Sequence, residues 1–211
     1  MKIVNPHAEV VGNVDGKAIL RHIELCGRVC YKSEDRIDDT SAEKFVANVI
    51  KRGHEAVLEH ASITVRFTVD RGVSHEIVRH RLAAYCQEST RYCNYSQGKH
   101  GGEITVIQPH YLVEDTEGWF QWRRACFEAE KQYFRLLEFG CSPQEARAVL
   151  PNSLKTEVVM TANLREWRHF FRLRTAPAAH PQMREVTIPL LRQMQELVPV
   201  VFDDIKPEVA G

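Results

Sequence analysis

The feature that most constrains the fold of this chain is an alternating segment in its first third. Ile63, Val65, Phe67 and Val69 are separated by single polar residues. Apolar side chains at every second position predict a strand with one buried face and one exposed face. On both sides of this segment the apolar residues recur instead at helical spacing. The chain therefore has to combine sheet and helix.

Seven segments have the apolar periodicity, capping residues or helix-ending residues of helices. They are 17–31, 41–53, 72–82, 117–139, 142–150, 163–175 and 182–198. Besides 63–69, residues 104–107 and 154–162 are predicted strands, and the polar stretch 86–102 is a predicted loop. Helices outnumber strands and do not alternate with them regularly, which favours an α+β fold over a doubly wound sheet. We expect a central, mostly antiparallel sheet flanked by helices, in one domain spanning 1–211.

The composition excludes several classes of protein. Twenty-eight basic and 28 acidic residues give a formal net charge of zero, so bulk attraction to nucleic acid or to an anionic membrane is not indicated. The six cysteines form no CxxC pair, which argues against the usual structural zinc site. The first residues hold no apolar run of the length that a signal peptide needs, and no stretch approaches the ~20 apolar residues of a membrane helix. We expect a cytoplasmic protein with reduced thiols, no metal, and no membrane or nucleic-acid partner.

A cationic triplet followed by a polar loop carries most of the chemical information. Arg79, His80 and Arg81 end the predicted helix 72–82, and Ser89 and Arg91 follow. Successive helical residues are turned by about 100°, so the triplet would point in several directions. Arginine forks suit phosphate oxygens, and the serine loop adds hydroxyl and backbone donors. For the triplet alone, a solvated helix end is an equally simple interpretation.

The spacing of these residues resembles the signature of the flavin-dependent thymidylate synthases, in which RHR is followed by seven residues and serine. The segments 53–60, 146–151 and 163–174 resemble other parts of that family, so the similarity extends over most of the chain. The family's commoner loop has Ser, Asn and Glu where this chain has Ala84, Cys86 and Gln87, and His169 replaces an asparagine that serves the flavin in relatives.

The resemblance implies a homotetramer with shared active sites that methylates dUMP to dTMP. The carbon would come from methylenetetrahydrofolate and the hydride from FADH2, which NADPH regenerates. The implied FAD-binding residues are His54, Glu59, Arg79, His80, Arg81, Gln87, Asn163, Arg165 and His169. The implied dUMP-binding residues are Glu76, Arg79, Gln87, Glu88, Ser89, Arg91, Arg147 and Arg174. Arg174, Ser89 and His54 are the implied catalytic residues, with Ser89 and Arg91 at the phosphate and Arg174 at the pyrimidine edge.

The predicted helix 163–175 offers a check that is independent of the resemblance. Rotation by about 100° per residue puts Arg174 and Asn163 in the apolar stripe of Leu164, Trp167, Phe170 and Phe171. An arginine in such a stripe is costly without a partner. An internal salt bridge and a frayed helix end are the ordinary alternatives to a functional role. Arg165, Arg168 and Arg172 fall on the opposite, predicted solvent face.

Two other functions stay open at this point. A zinc hydrolase is suggested by ten histidines, but His54 and His60 lie six residues apart, whereas the metalloprotease helix needs four. A nonenzymatic nucleotide- or RNA-binding protein could use the same arginines with Tyr85, Tyr92 and Tyr95. Within the enzyme hypothesis, Ser89 is interpreted as a phosphate donor rather than a nucleophile, and Cys86 as a packing residue.

Overall fold

A computed structural model describes residues 1–97 and 101–207 of this chain. Residues 98–100 of the predicted loop 86–102 and residues 208–211 of the predicted single domain lie outside the described residues. The described part contains seven α-helices and six strands. The strands are β1 (Lys2–Val4), β2 (His7–Val10), β3 (Ser62–Asp70), β4 (Ala83–Gln87), β5 (Thr105–Ile107) and β6 (Lys155–Asn163). The helices are α1 (Gly16–Val29), α2 (Ser41–Lys51), α3 (Arg71–Ile77), α4 (Glu117–Glu138), α5 (Pro143–Ala146), α6 (Leu164–Arg174) and α7 (Pro181–Leu197).

All seven predicted helices and all three predicted strands are confirmed, with changes at their ends. Helix α5 begins at the predicted capping box, in which Ser142 and Glu145 satisfy each other's backbone. Helix α3 ends at Ile77, so the prediction of helix through residue 82 is wrong. The strands β1, β2 and β4 are additional to the predicted ones, and β4 takes residues 86–87 from the predicted loop. These strands are only three to five residues long, too short to show a period.

The strands form two sheets. One has four strands in the order β2-β3-β6-β4 and is antiparallel; the other is a parallel pair of β1 and β5, in which Ile3 aligns with Val106. The sheets are flanked by helices, so the predicted α+β class is confirmed. In β6 the residues alternate strictly between buried and half-buried positions, as expected for a sheet covered on one face.

By internal contacts the chain divides into two compact units. The first comprises residues 1–7, 67–79 and 86–159, and the second comprises residues 8–66, 80–85 and 160–211. The first unit has its own core, in which Tyr133 of α4 packs edge-to-face on Tyr95 and both rings are buried with Val106 and Leu154. That one domain spans the whole chain stays a prediction.

The second unit is built around the aromatic side of α6. Trp167, Phe170 and Phe171 are fully buried and contact one another, and Phe202 packs edge-to-face on Phe171. In the same unit Gly16 starts α1 against the end of α7, where an added Cβ would lie 1.8 Å from the carbonyl oxygen of Leu197. Only glycine permits that approach.

Among the described residues, no helix has both the length and the apolar character needed to cross a membrane.

Candidate active site

The cationic triplet lies in the turn between α3 and β4, not on a helix. Arg79 and Arg81 are exposed, while His80 between them is 4% exposed. The sequence prediction that the three side chains do not share one face is therefore confirmed, but its helical reason is wrong. In this turn the imidazole is buried and the two guanidinium groups are on the solvent side.

His80 is the centre of a buried polar cluster in the second unit. Its Nδ1 lies 3.1 Å from Oε1 of Glu166, and its Nε2 accepts a hydrogen bond of 3.0 Å from Nε of Arg174. The ring packs edge-on against Phe170, at 4.8 Å between centroids. The hydroxyl of Tyr85 donates to the backbone oxygen of His80 at 2.6 Å, which fixes the main chain of the turn.

The environment of His80 favours a neutral imidazole. Burial lowers the pKa of His80 below its ordinary value, and the charge of Arg174 lowers it further, while the hydrogen bond with Glu166 acts in the opposite direction. Burial also raises the pKa of Tyr85 to about 12, so its hydroxyl keeps its proton. Both groups are thus held in their neutral, hydrogen-bonding forms near neutral pH.

Arg174 stands at the last position of α6 and is half-buried. The predicted apolar stripe is confirmed, since all four of its members are fully buried. Arg174 therefore reaches its place because it continues the stripe, and it is partnered there by His80. The hydroxyl of Thr187 on α7 donates to the backbone oxygen of Arg174 at 2.8 Å, which anchors the end of the helix.

Further predicted FAD residues gather at the start of α6. Asn163 caps the helix, with its Oδ1 accepting from the backbone N–H of Glu166 at 2.9 Å. Arg165 and Glu59 are each about half exposed and form an ion pair of 2.6 Å. His169 lies one turn after Arg165 and is exposed, and its ring centroid is 5.6 Å from that of His80. The solvent-facing position that periodicity predicts for Arg165 is confirmed.

His54, the predicted flavin neighbour, is exposed and precedes a 3-10 turn over Glu55–His60. Gly53 has a positive φ of 73° and lets the chain leave α2, with the backbone N–H of His54 bonded to the oxygen of Val49. Because this turn is not an α-helix, it does not reproduce the metalloprotease geometry considered above.

In the first unit, residues 88–93 form a turn that contains much of the predicted phosphate site. The backbone N–H groups of Tyr92 and Cys93 bond to the oxygen of Ser89, and Oγ of Ser89 accepts from the N–H of Arg91. Arg91 is exposed and stacks over the ring of Tyr92. Arg147, also exposed, donates from Nη1 to Oγ1 of Thr90 at 3.1 Å. This turn therefore carries the hydroxyl of Ser89 and the guanidinium of Arg91, and it binds the guanidinium of Arg147 through Thr90.

The remaining predicted dUMP residues of the first unit lie beside this turn or on α3. Gln87, on β4, donates from its amide nitrogen to Oγ of Ser74 at 3.0 Å. Glu88 pairs with Lys155 at 3.0 Å, and the hydrogen bonds of Lys155 with Glu157 and Glu88 outweigh burial and raise the pKa of that lysine. Glu76 is half-buried on α3.

Two sequence predictions are corrected by the structure. Cys86 is exposed, so its predicted packing role is wrong. Arg168, predicted to face solvent, is fully buried, because Asp204 and Glu55 cover that side of α6 and bind its guanidinium.

Sequence reasoning also missed partners. His80 is bonded to Glu166, Arg147 to Thr90, and Arg174 to Thr187. No local sequence spacing connects these partners to the site residues that they bind. Buried polar residues at apolar positions are the only signal that the sequence offers for them.

The ligand atoms of His80, Glu166 and His169 lie within 4.8 Å of one another, a spacing that a metal ion can use. Both ring nitrogens of His80 are already in hydrogen bonds, one of them with the guanidinium of Arg174. A cation placed here would displace one bond and face a fixed positive charge. The cluster is therefore better suited to orient Arg174 than to bind a metal.

Comparison with known proteins places the chain among relatives over most of its length. Residues 16–200 match the family model described as thymidylate synthase complementing protein. A flavin-dependent thymidylate synthase of Pyrococcus furiosus is 34% identical over 188 residues, covering 88% of this chain and 73% of that protein. One from Corynebacterium glutamicum is 32% identical over 221 residues, covering 96% and 86%.

A solved structure shares the fold. The UMP/dUMP methylase PolB from Streptomyces cacaoi, bound with 5-Br dUMP, superimposes with a TM-score of 0.78 at 23% identity, covering 96% of each chain.

Proposed function

Because the chain belongs to the family of flavin-dependent thymidylate synthases, we propose that it converts dUMP to dTMP. Methylenetetrahydrofolate provides the carbon, and NADPH provides the electrons through FAD. The overall reaction consumes dUMP, methylenetetrahydrofolate, NADPH and one proton, and yields dTMP, tetrahydrofolate and NADP⁺. When bound, FAD supplies the two-electron step that turns the transferred carbon into a methyl group. The residues of this chain bind and orient the reactants.

The observation that carries the proposal is the fixed guanidinium of Arg174. An arginine is charged at all physiological pH values. The guanidinium of this half-buried arginine is bonded to His80, and Thr187 anchors its backbone oxygen. C5 of uracil can attack the electrophilic carbon of the folate only when the pyrimidine ring carries extra electron density, as an enolate-like negative charge. We assign Arg174 to that ring, where a preorganised cation lowers the energy of the charged transition state.

The residue types of the second unit fit FAD. Arg81 and Arg165 are exposed guanidinium groups suited to a diphosphate, and His54 and His169 are exposed rings suited to the edge or face of the isoalloxazine. Asn163 uses its oxygen to cap α6, so its amide nitrogen is the donor that it would offer to the flavin. Glu59 would orient Arg165 through their ion pair. In the first unit, the exposed Arg79 is assigned to FAD and dUMP.

The turn around Ser89 fits the phosphate of dUMP. Ser89 contributes a hydroxyl, and Arg91 and Arg147 contribute guanidinium groups, each of which can bind two phosphate oxygens. Thr90 keeps Arg147 at the turn. We also assign Gln87 and Glu88 to dUMP, because they directly precede Ser89 in the sequence. Glu76 on α3 is assigned to dUMP as well.

We also assign a homotetramer. Its support is the exposed apolar surface of α1, where Leu25 and Val29 lie one turn apart at 51% and 49% exposure and Tyr31 follows at 65%. Apolar side chains clustered on a surface mark interaction sites. Sedimentation at micromolar concentration should give four times the chain mass of 24.3 kDa.

The proposed function is tested by the absorbance spectrum of the purified protein and by product analysis. We expect a yellow protein that binds FAD, is bleached by NADPH, and forms dTMP from dUMP and methylenetetrahydrofolate. A colourless protein that neither takes up added FAD nor oxidises NADPH with dUMP present would disprove the proposal.

A further inference from the structure

A hydrogen-bonded chain of three side chains, of which Glu166 and His80 are buried, connects a carboxylate to the guanidinium assigned to the pyrimidine. Glu166 is 6% exposed and His80 is 4% exposed. Oε1 of Glu166 lies 3.1 Å from Nδ1 of His80, and Nε of Arg174 lies 3.0 Å from Nε2 of the same ring. Glu166 and Arg174 therefore hold opposite ends of one imidazole.

Hydrogen-bond chemistry determines where the proton of His80 resides. An arginine has only donors, so Nε2 of His80 must accept and carry no hydrogen. The ring then carries its hydrogen on Nδ1, which donates it to the carboxylate of Glu166. If Nδ1 lost this acceptor, the tautomer with hydrogen on Nε2 would become available, and Nε2 could no longer accept from Arg174.

Packing prevents the ring from finding another arrangement easily. Phe170 lies against the ring, and Tyr85 holds the backbone oxygen of His80. The backbone of Glu166 is itself fixed, because its N–H is bonded to the capping side chain of Asn163. The positions of the carboxylate, the imidazole and the guanidinium are thus coupled.

We propose that Glu166 is a positioning residue for the reaction, which sets the tautomer of His80 and through it the orientation of Arg174. This inference rests on the proposed function, because it gives Arg174 the pyrimidine ring as its target. Glu166 touches neither substrate nor flavin in this scheme.

The same network predicts a pH dependence. The titratable or charged side chains that face the ring are Glu166, Arg174 and His169 of α6, and Tyr85 of β4 bonds to the backbone oxygen of His80. Burial lowers the pKa of His80, and Glu166 opposes that shift. When acid protonates His80, Nε2 becomes a donor and the bond from Arg174 is lost. Activity should therefore fall on the acid side as His80 becomes charged.

The test compares Glu166→Gln and Glu166→Ala in the flavin-loaded protein. The amide oxygen of Gln can still accept from Nδ1, so kcat at high pH should stay within about 3-fold of wild type. Because glutamine has no negative charge, the pKa of His80 should be lower in this variant. The acid limb of the kcat profile, where activity falls with decreasing pH, should therefore move to lower pH. Ala removes the acceptor, and kcat should fall roughly 10- to 100-fold through misorientation of Arg174. The pH dependence of dUMP affinity, measured by calorimetry, should shift with the acid limb.

Glu24→Gln is the matched control, because Glu24 is also a buried carboxylate of the second unit but binds Arg28 and Ser41 instead. Its pH profile should equal that of wild type. If wild type forms dTMP while both Glu166 variants keep its kcat and acid limb, this inference fails alone. The inference also fails alone if Glu166→Gln loses as much activity as Glu166→Ala while the acid limb of its kcat profile stays at the wild-type pH. The same holds if Glu24→Gln moves the acid limb as far as Glu166→Gln does. If wild type forms no dTMP, the proposed function and this inference fail together. Should the Ala variant not fold, the acid limb of the Gln variant decides.

Discussion

Arg168 and Asp204 form a two-pronged ion pair in which the arginine is fully buried and the aspartate is half exposed. Nη1 and Nη2 of Arg168 donate to the two carboxylate oxygens of Asp204 at 2.6 and 2.7 Å. Nη1 also donates to the backbone oxygen of Val201, and Glu55 accepts from the remaining side of the guanidinium. The pair joins α6 to the chain after α7 within the second unit.

Asp204→Asn should lower the free energy of unfolding by about 1–3 kcal/mol, because a buried cation loses one charged acceptor while keeping Glu55. Urea unfolding followed by circular dichroism would measure it. Asp39→Asn, at a fully exposed carboxylate, is the control and should change little. Equal stabilities for the Asp204 variant and wild type would show that Glu55 alone satisfies Arg168.

The contribution of Asp204 should depend on pH with a defined sign. The hydrogen bond from Arg168 is the main cause that holds the pKa of Asp204 below its ordinary value. The stabilisation is therefore complete above the ordinary carboxyl pKa of about 4 and is lost as pH falls through the lowered value. The stability difference between wild type and Asp204→Asn should shrink in that acid range. A difference that grows in acid would contradict the assignment.

Arg174→Ala should abolish dTMP formation, with a loss of at least about 100-fold in kcat, while the flavin spectrum is retained. The reason is that the cation assigned to the pyrimidine ring is removed. Arg172→Ala is the matched control on the same helix, since Arg172 is exposed and pairs with Glu55 and Asp204. Unchanged turnover in Arg174→Ala would remove this residue from the site.

Ser89→Ala should raise KM for dUMP by roughly 3- to 10-fold, which corresponds to about 0.7–1.4 kcal/mol for one typical hydrogen bond, and should leave the chemistry intact. Steady-state kinetics and dUMP titration of the flavin spectrum would test it. Ser96→Ala, which removes an exposed hydroxyl bonded to Asn94, should leave KM unchanged. Complete inactivity with normal dUMP binding would instead support a nucleophilic serine.

Thr90→Val should raise KM for dUMP because it removes the hydroxyl that accepts from Arg147 while nearly preserving side-chain volume. An effect of about 2- to 5-fold is expected for one side-chain hydrogen bond. The double variant with Arg147→Ala should then show no larger effect than Arg147→Ala alone, since both changes act on one guanidinium. Additive effects would show that Thr90 acts independently of Arg147.

Local patterns were sufficient for most elements of this chain. The capping box at Ser142 and Glu145 places the start of α5, and the alternation from Ile63 to Val69 identifies β3, because both signals depend only on neighbouring residues. The short strand β1 could not be found in this way, because it is stabilised by pairing with β5, about a hundred residues later. A three-residue strand carries almost no periodicity of its own.

The candidate site divides along the same line. The sequence alone identified the RHR segment and the serine that follows it at a fixed spacing. It also identified the apolar stripe of α6 in which Arg174 lies. The burial of His80 between Glu166 and Arg174, 86 and 94 residues away, and the covering of Arg168 by Asp204 became evident only in the folded chain. The difference arises because periodicity reports which side of an element is apolar, whereas the partner of a buried polar group depends on how distant segments pack.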